Sequence, residues 1–282
     1  MKTLIFIVLT VALALVLYFK KRSVALWTAD PMGDCQIEET KFEEDDFFIN
    51  YSVYTHKKNP SNKSLLVLPP TGGKNIIDEG YALSLCRAGF KVYILEDWKN
   101  IKEYELAYSI HQTYQTKTQK AFGKIIELMD SEKIGVLGTS AGGINFAVTL
   151  GTEKIAKKVA AYFTIVSGMP LCKVIANSDE KGLKGIRDER FEKTDIANMK
   201  DYEQNICDAV DWEIPKVLPE GTAYGAIVST NDVTVSTRFQ LEMVENYKPI
   251  ILIKSEFNHF NTVVLSYFFH KAKVVEFFKG RL

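Results

Sequence analysis

The chain has 282 residues, with 35 basic and 35 acidic side chains, 46% hydrophobic and 25% charged residues, a globular balance able to bury one large core. Its zero formal charge, with no basic stripe interleaved with aromatics, gives no electrostatic case for a nucleic-acid partner. Its four histidines and four cysteines make no His-x-His, H-E-x-x-H, C-x-x-C or zinc spacing, so neither a metal nor another cofactor is expected.

Leu4 to Phe19 is almost unbroken apolar sequence closed by Lys20, Lys21 and Arg22. No small-residue cleavage pattern follows it, so residues 1–22 read as an uncleaved membrane anchor rather than a signal peptide. The basic residues after the run place the body on the cytoplasmic side, with a secreted or periplasmic body as the alternative. Residues 23–35 form a tether and residues 36–282 a single domain.

Gln36 to Phe42 and Phe47 to Tyr54 alternate about an acidic turn and predict an antiparallel hairpin. Leu65 to Leu68 fits a buried strand ending in Pro69-Pro70-Thr71-Gly72-Gly73, where glycines leave backbone amides uncovered for a substrate. A helix carrying Ile77, Tyr81, Leu85 and Ala88 stops at Gly89. Cys86 lies on its apolar side and reads as a buried free thiol, whereas Cys172 and Cys207 could pair in an oxidising compartment. Lys91 to Leu95 is the next strand, with Glu96, Asp97 and Trp98 at its end, and Tyr104 to Met129 reads as one long helix with Phe122, Ile125 and Met129 on one face.

Ile134 to Leu137, a buried strand, runs into Gly138-Thr139-Ser140-Ala141-Gly142 and then a helix. A serine between glycines at a sharp strand-to-helix turn exposes its hydroxyl above the sheet, with the Ala141 amide aimed at developing negative charge. The motifs of dinucleotide and P-loop sites, G-x-G-x-x-G and G-x-x-x-x-G-K-[ST], are absent. Ala160 to Val166 is the following strand, and the polar segment Met169 to Glu220, about 169–220, is too long for bare loop and reads as a cap insertion with a helix at Asp195 to Ala209. Strands Tyr224 to Ser229 and Ile250 to Ile253 flank a helix at Phe239 to Tyr247, and an amphipathic helix, Val263 to Phe278, closes the chain. The pattern predicts an α/β fold: a mostly parallel sheet flanked by helices, with an antiparallel edge hairpin.

The loops after the last two strands carry Asp232 and His259. With Ser140 first, the order Ser, Asp, His, each after its own strand, resembles the α/β-hydrolase family over roughly Gln36 to Leu282. The resemblance implies Ser140 as nucleophile, His259 as general base and Asp232 as its orienting acid, with the amides of Ala141 and of Thr71 or Gly72 as the oxyanion hole. Pro-Pro-Thr-Gly-Gly stands where esterases of the family carry His-Gly-Gly-Gly. The expected activity is that of a membrane-anchored serine esterase or lipase-like enzyme acting on small-molecule esters, lipid-like or with acyl chains. The alternatives are an acyltransferase, thioesterase or peptidase with the same residues, or an inactive scaffold.

Overall fold

The computed structural model describes residues 29–44, 47–97 and 106–282. The expected anchor and Trp98 lie outside them; no helix among the described residues is long and apolar enough to cross a membrane. Eight strands form one sheet: β1 (Cys35–Glu44), β2 (Phe47–His56), β3 (Ser64–Leu68), β4 (Lys91–Asp97), β5 (Ile134–Thr139), β6 (Val159–Ile165), β7 (Ala223–Ser229) and β8 (Ile251–Ser255). Their spatial order is β1-β2-β4-β3-β5-β6-β7-β8. The β1–β2 and β2–β4 pairs are antiparallel and the other five parallel.

The helices, in chain order, are α1 (Ile76–Arg87), α2 (Ser109–Leu128), α3 (Ala141–Thr149), α4 (Glu153–Ala156), α5 (Leu171–Asn177), α6 (Lys181–Lys193), α7 (Met199–Ala209), α8 (Thr237–Tyr247), α9 (His259–Leu265) and α10 (Lys271–Lys279). Period-2 alternation sends β3 side chains to two cores. Leu66 and Leu68 join Phe122 of α2, Phe146 of α3 and Met243 of α8, while Leu65 and Val67 join Leu85 of α1 with Val274 and Phe278 of α10. A sheet covered on both faces explains why its central strands are continuous apolar runs.

Three expectations need correction. Cys86 is not a free thiol; it is bonded to Cys35, with their Cα atoms 6.4 Å apart. Position on an apolar helix face cannot distinguish the two states, because Cys35 arrives from 51 residues upstream. The long helix begins only at Ser109 among the described residues. The closing helix starts earlier than expected, at His259, and opens into one π turn, Ser266–His270. There Ser266 Oγ donates to Val263 O at 2.6 Å and accepts from Tyr81 Oη at 3.0 Å, a side chain inserted into the helix ladder. The second disulfide joins Cys172 of α5 to Cys207 of α7.

Candidate active site

The parallel registers set Leu68 beside Gly138, Thr139 beside Ile165, and Ser229 beside Ser255, so these strands end along one edge. Ser140 follows β5 directly, and Asp232 and His259 stand on the loops that leave β7 and β8 at that edge. Those two loops are knitted together: Thr230 N donates to Ser255 O at 2.8 Å, Asn231 Nδ2 to Glu256 O at 2.6 Å and Ser229 Oγ to Phe257 O at 2.5 Å.

Ser140 sits at φ 50°, ψ −122°, a conformation that costs an L residue of order 1–3 kcal/mol and persists only where surroundings enforce it. Its amide donates to Ile165 O at 2.8 Å and its carbonyl accepts from Ile144 N at 3.0 Å. The flanking glycines have steric causes. A Cβ at Gly138 would overlap the backbone of Gly143, and one at Gly142 would overlap the carbonyls of Leu68 and Pro69. That close approach brings the end of β3, with its Pro70-to-Gly73 turn (Gly73 N to Pro70 O, 2.9 Å), against the first turn of α3. Thr71 and Ala141 therefore line the same cavity as Ser140.

A second strained residue adjoins the elbow: Val166, at φ 49°, directly follows β6. β-branched residues rarely adopt this conformation. It leads to Ser167, whose hydroxyl donates to Ser140 O at 3.0 Å.

Asp232 has a fully buried side chain. Its Oδ1 accepts from the amides of Thr234 (2.8 Å) and Val235 (3.0 Å), and its Oδ2 from Gln240 Nε2 (2.7 Å) and His259 Nδ1 (2.6 Å). Because the carboxylate acts as acceptor in each contact, the ring proton lies on Nδ1 and the lone pair on Nε2 is left to accept a proton. Gln240 is itself locked, with Oε1 accepting from Ser229 N at 2.9 Å and Nε2 also donating to Val235 O at 2.7 Å. Among the described residues no hydrogen bond joins the His259 ring to Ser140 Oγ. Glu96 pairs with Lys74 and Ser52.

Ser140 opens onto a cavity of about 80 Å³. Its walls are Ile144 of α3, Leu171 and Val174 of α5, Leu183 of α6, and Val235 from the Asp232 loop. Sequence reasoning missed two residues of the α2 wall, His111 and Gln115. The signal was available: 111, 115, 118, 122, 125 and 129 form one stripe at alternating steps of four and three, all buried. Its first half is polar and its second half apolar, so the stripe leaves the core and passes into a site. His111 Nε2 meets Arg190 Nη1 at 3.0 Å. Burial, aided by the Arg190 cation, pushes the His111 pKa down to about 4.

No family model matches this sequence, and no curated protein matches it by sequence. Solved structures do match by shape. The Pyrococcus furiosus esterase Pf2001 superposes with a TM-score of 0.58 at 16% identity, over 92% of this chain and 98% of that one. The α/β hydrolase GrgF from Penicillium sp. sh18 gives 0.59 at 13%, over 87% and 99%. The enol-lactonase of Burkholderia xenovorans LB400 gives 0.54 at 14%, over 85% and 100%. The chain thus has the α/β-hydrolase fold.

Proposed function

We propose that this chain is a serine hydrolase that cleaves carboxylic esters through an acyl-enzyme. The observation that carries the reading is the strained backbone of Ser140 at the β5–α3 turn, because such strain concentrates where a side chain must be presented for chemistry. The buried Asp232–His259 pair on the same sheet edge supports it, as do the names of two structural neighbours, an esterase and an enol-lactonase.

In this mechanism Ser140 Oγ attacks the ester carbonyl while His259 Nε2 takes its proton and Asp232 steadies the imidazolium. The mechanism requires Nε2 within hydrogen-bond reach of Oγ, a contact that in such enzymes often forms only with substrate bound. The amides of Ala141 and of Thr71 or Gly72 receive the oxyanion, each worth about 100- to 1,000-fold in turnover. Collapse expels the alcohol, which takes the proton from His259; water then attacks the acyl carbonyl while His259 takes its proton, and the C–Oγ bond breaks as His259 returns that proton to Ser140, releasing the acid. The two disulfides favour a secreted or periplasmic body over a cytoplasmic one, since such bonds persist in oxidising compartments. Leu4 to Phe19 serves as the membrane-targeting segment.

A fluorophosphonate probe tests the reading. Labelling of the wild type and none of Ser140→Ala is expected; a folded wild type that resists the probe would sink the hydrolase in favour of a scaffold.

A further inference from the structure

The cavity beside Ser140 is mostly apolar, but its α2 wall carries polar side chains. Gln115 lies on its α2 wall, is 1% exposed, and its Nε2 makes no hydrogen bond among the described residues. A buried amide left without a partner is rare in native folds, and one carried by a residue that lines a cavity points to a place where a ligand supplies the missing acceptor. His111 stands one turn earlier on the same wall. A guanidinium can only donate, so the 3.0 Å contact with Arg190 makes His111 Nε2 the acceptor and puts the ring proton on Nδ1. Arg190 is held in turn by the carbonyls of Leu106 (2.8 Å) and Ala107 (3.0 Å) and by the Tyr108 ring, 4.2 Å away. Glu180 also reaches the cavity, where its Oε2 is occupied by the amides of Gly182 (2.8 Å) and Leu183 (3.0 Å).

We propose that Gln115 and His111 form a hydrogen-bond-donating subsite for an oxygen on the acyl group, so that the preferred substrate is an ester of a short acid bearing a second carbonyl or carboxylate. Size agrees with this. One water-sized group needs about 10–15 Å³, so the cavity of about 80 Å³ takes roughly six such groups. The subsite rests on the ester-hydrolase reading and deepens it, replacing a plain acyl chain with one that ends in an acceptor.

The experiment compares nitrophenyl esters of pentanoic, levulinic and succinic acid on full-length protein, with fluorophosphonate labelling run alongside. Wild type is expected to favour the levulinyl or succinyl ester over the pentanoyl ester in kcat/KM. The levulinyl arm reads a neutral carbonyl and the succinyl arm an anion. In Gln115→Leu the preference should fall about 10- to 100-fold, because the apolar wall no longer rewards the oxygen. Gln115→Glu, of equal length but with the donor exchanged for a carboxylate, should lose the succinyl ester more than the levulinyl one. Labelled enzyme that favours the pentanoyl ester, or a Gln115→Leu variant that slows all three esters equally, overturns the subsite and leaves the hydrolase standing. Should Ser140 resist the probe, the hydrolase falls, and calorimetric binding of levulinate and succinate decides the subsite: binding weakened by Gln115→Leu upholds it, and equal or absent binding removes it.

Discussion

Asp232 illustrates how much of a site is decided at single atoms. Four donors converge on its two oxygens, and one of them, Gln240, is a buried amide whose other contacts leave it a single orientation. Replacing Asp232 by Asn sets an amide where His259 Nδ1–H needs an acceptor and favours the tautomer that carries the proton on Nε2. Asp232→Asn should therefore lower kcat on the order of 10⁴-fold and, because the new amide faces Gln240 Nε2, which cannot turn, cost about 1–3 kcal/mol of stability, as read by ester turnover and melting. A loss below tenfold would mean that the pair is not the base and its orienter. The sequence singled out Ser140, Asp232 and His259 as candidates because each follows a strand end within a few residues. Gln240, Val166 and Ser167 were illegible, since a buried glutamine in a helix and a valine after a strand look like ordinary core until the chain is folded.

Among the elements, the three helices between β6 and β7 owe part of their rigidity to a covalent link. The Cys172–Cys207 bond ties α5 to α7 across 35 residues, a closure worth about 4 kcal/mol in the chain-entropy view. The pair Cys172→Ser and Cys207→Ser should lower the urea midpoint by an amount equal to about 2–4 kcal/mol, and raise KM because α5 supplies Leu171 and Val174 to the cavity. Thiol titration of the unfolded, unreduced protein should find no reactive cysteine of the four. Four reactive thiols would instead return the body to a reducing compartment and withdraw the placement proposed above. Strand and helix positions were readable from period and turn residues, with bounds shifting by one to a few positions. Closing-helix geometry was not, because its π turn depends on Tyr81 of α1 reaching Ser266, a contact between residues 185 apart.

Across the whole molecule two buried titrating groups oppose each other. His111, with its pKa lowered to about 4, stays neutral in the fold while the unfolded chain takes up a proton below about pH 6.5, so its contribution to stability falls as pH drops from 6.5 towards 4. Asp78 runs the other way. Burial pushes its pKa up to about 7, against the hydrogen bond from Asn75 N, and Oδ1 has no partner among the described residues. The fold keeps that proton while the unfolded chain loses it, so stability falls as pH rises from about 4 to 7 and is level above. Each slope is about 1.4 kcal/mol per pH unit, and between pH 4 and 6.5 the two cancel. Asp78→Asn keeps an acceptor for the Asn75 amide but removes one slope. The variant should gain on wild type steadily from pH 4 to 7 and melt progressively earlier than its own neutral-pH value below pH 6.5; parallel melting curves for both proteins across that range would refute the pairing. The chain also enters the fold at the far end of the sheet: Ala29 O accepts from Arg87 Nη1 at 3.1 Å, and Cys35 lies opposite His56, beside the start of β4 rather than the edge with Ser140. What the sequence determined by itself was the alternation of strand and helix, the serine turn and the order of three chemical groups, because period, glycine placement and strand ends are local properties. The pairing of Cys35 with Cys86 and the locking of Asp232 by Gln240 were decided only by tertiary structure, because each joins residues whose neighbours in space lie on other elements.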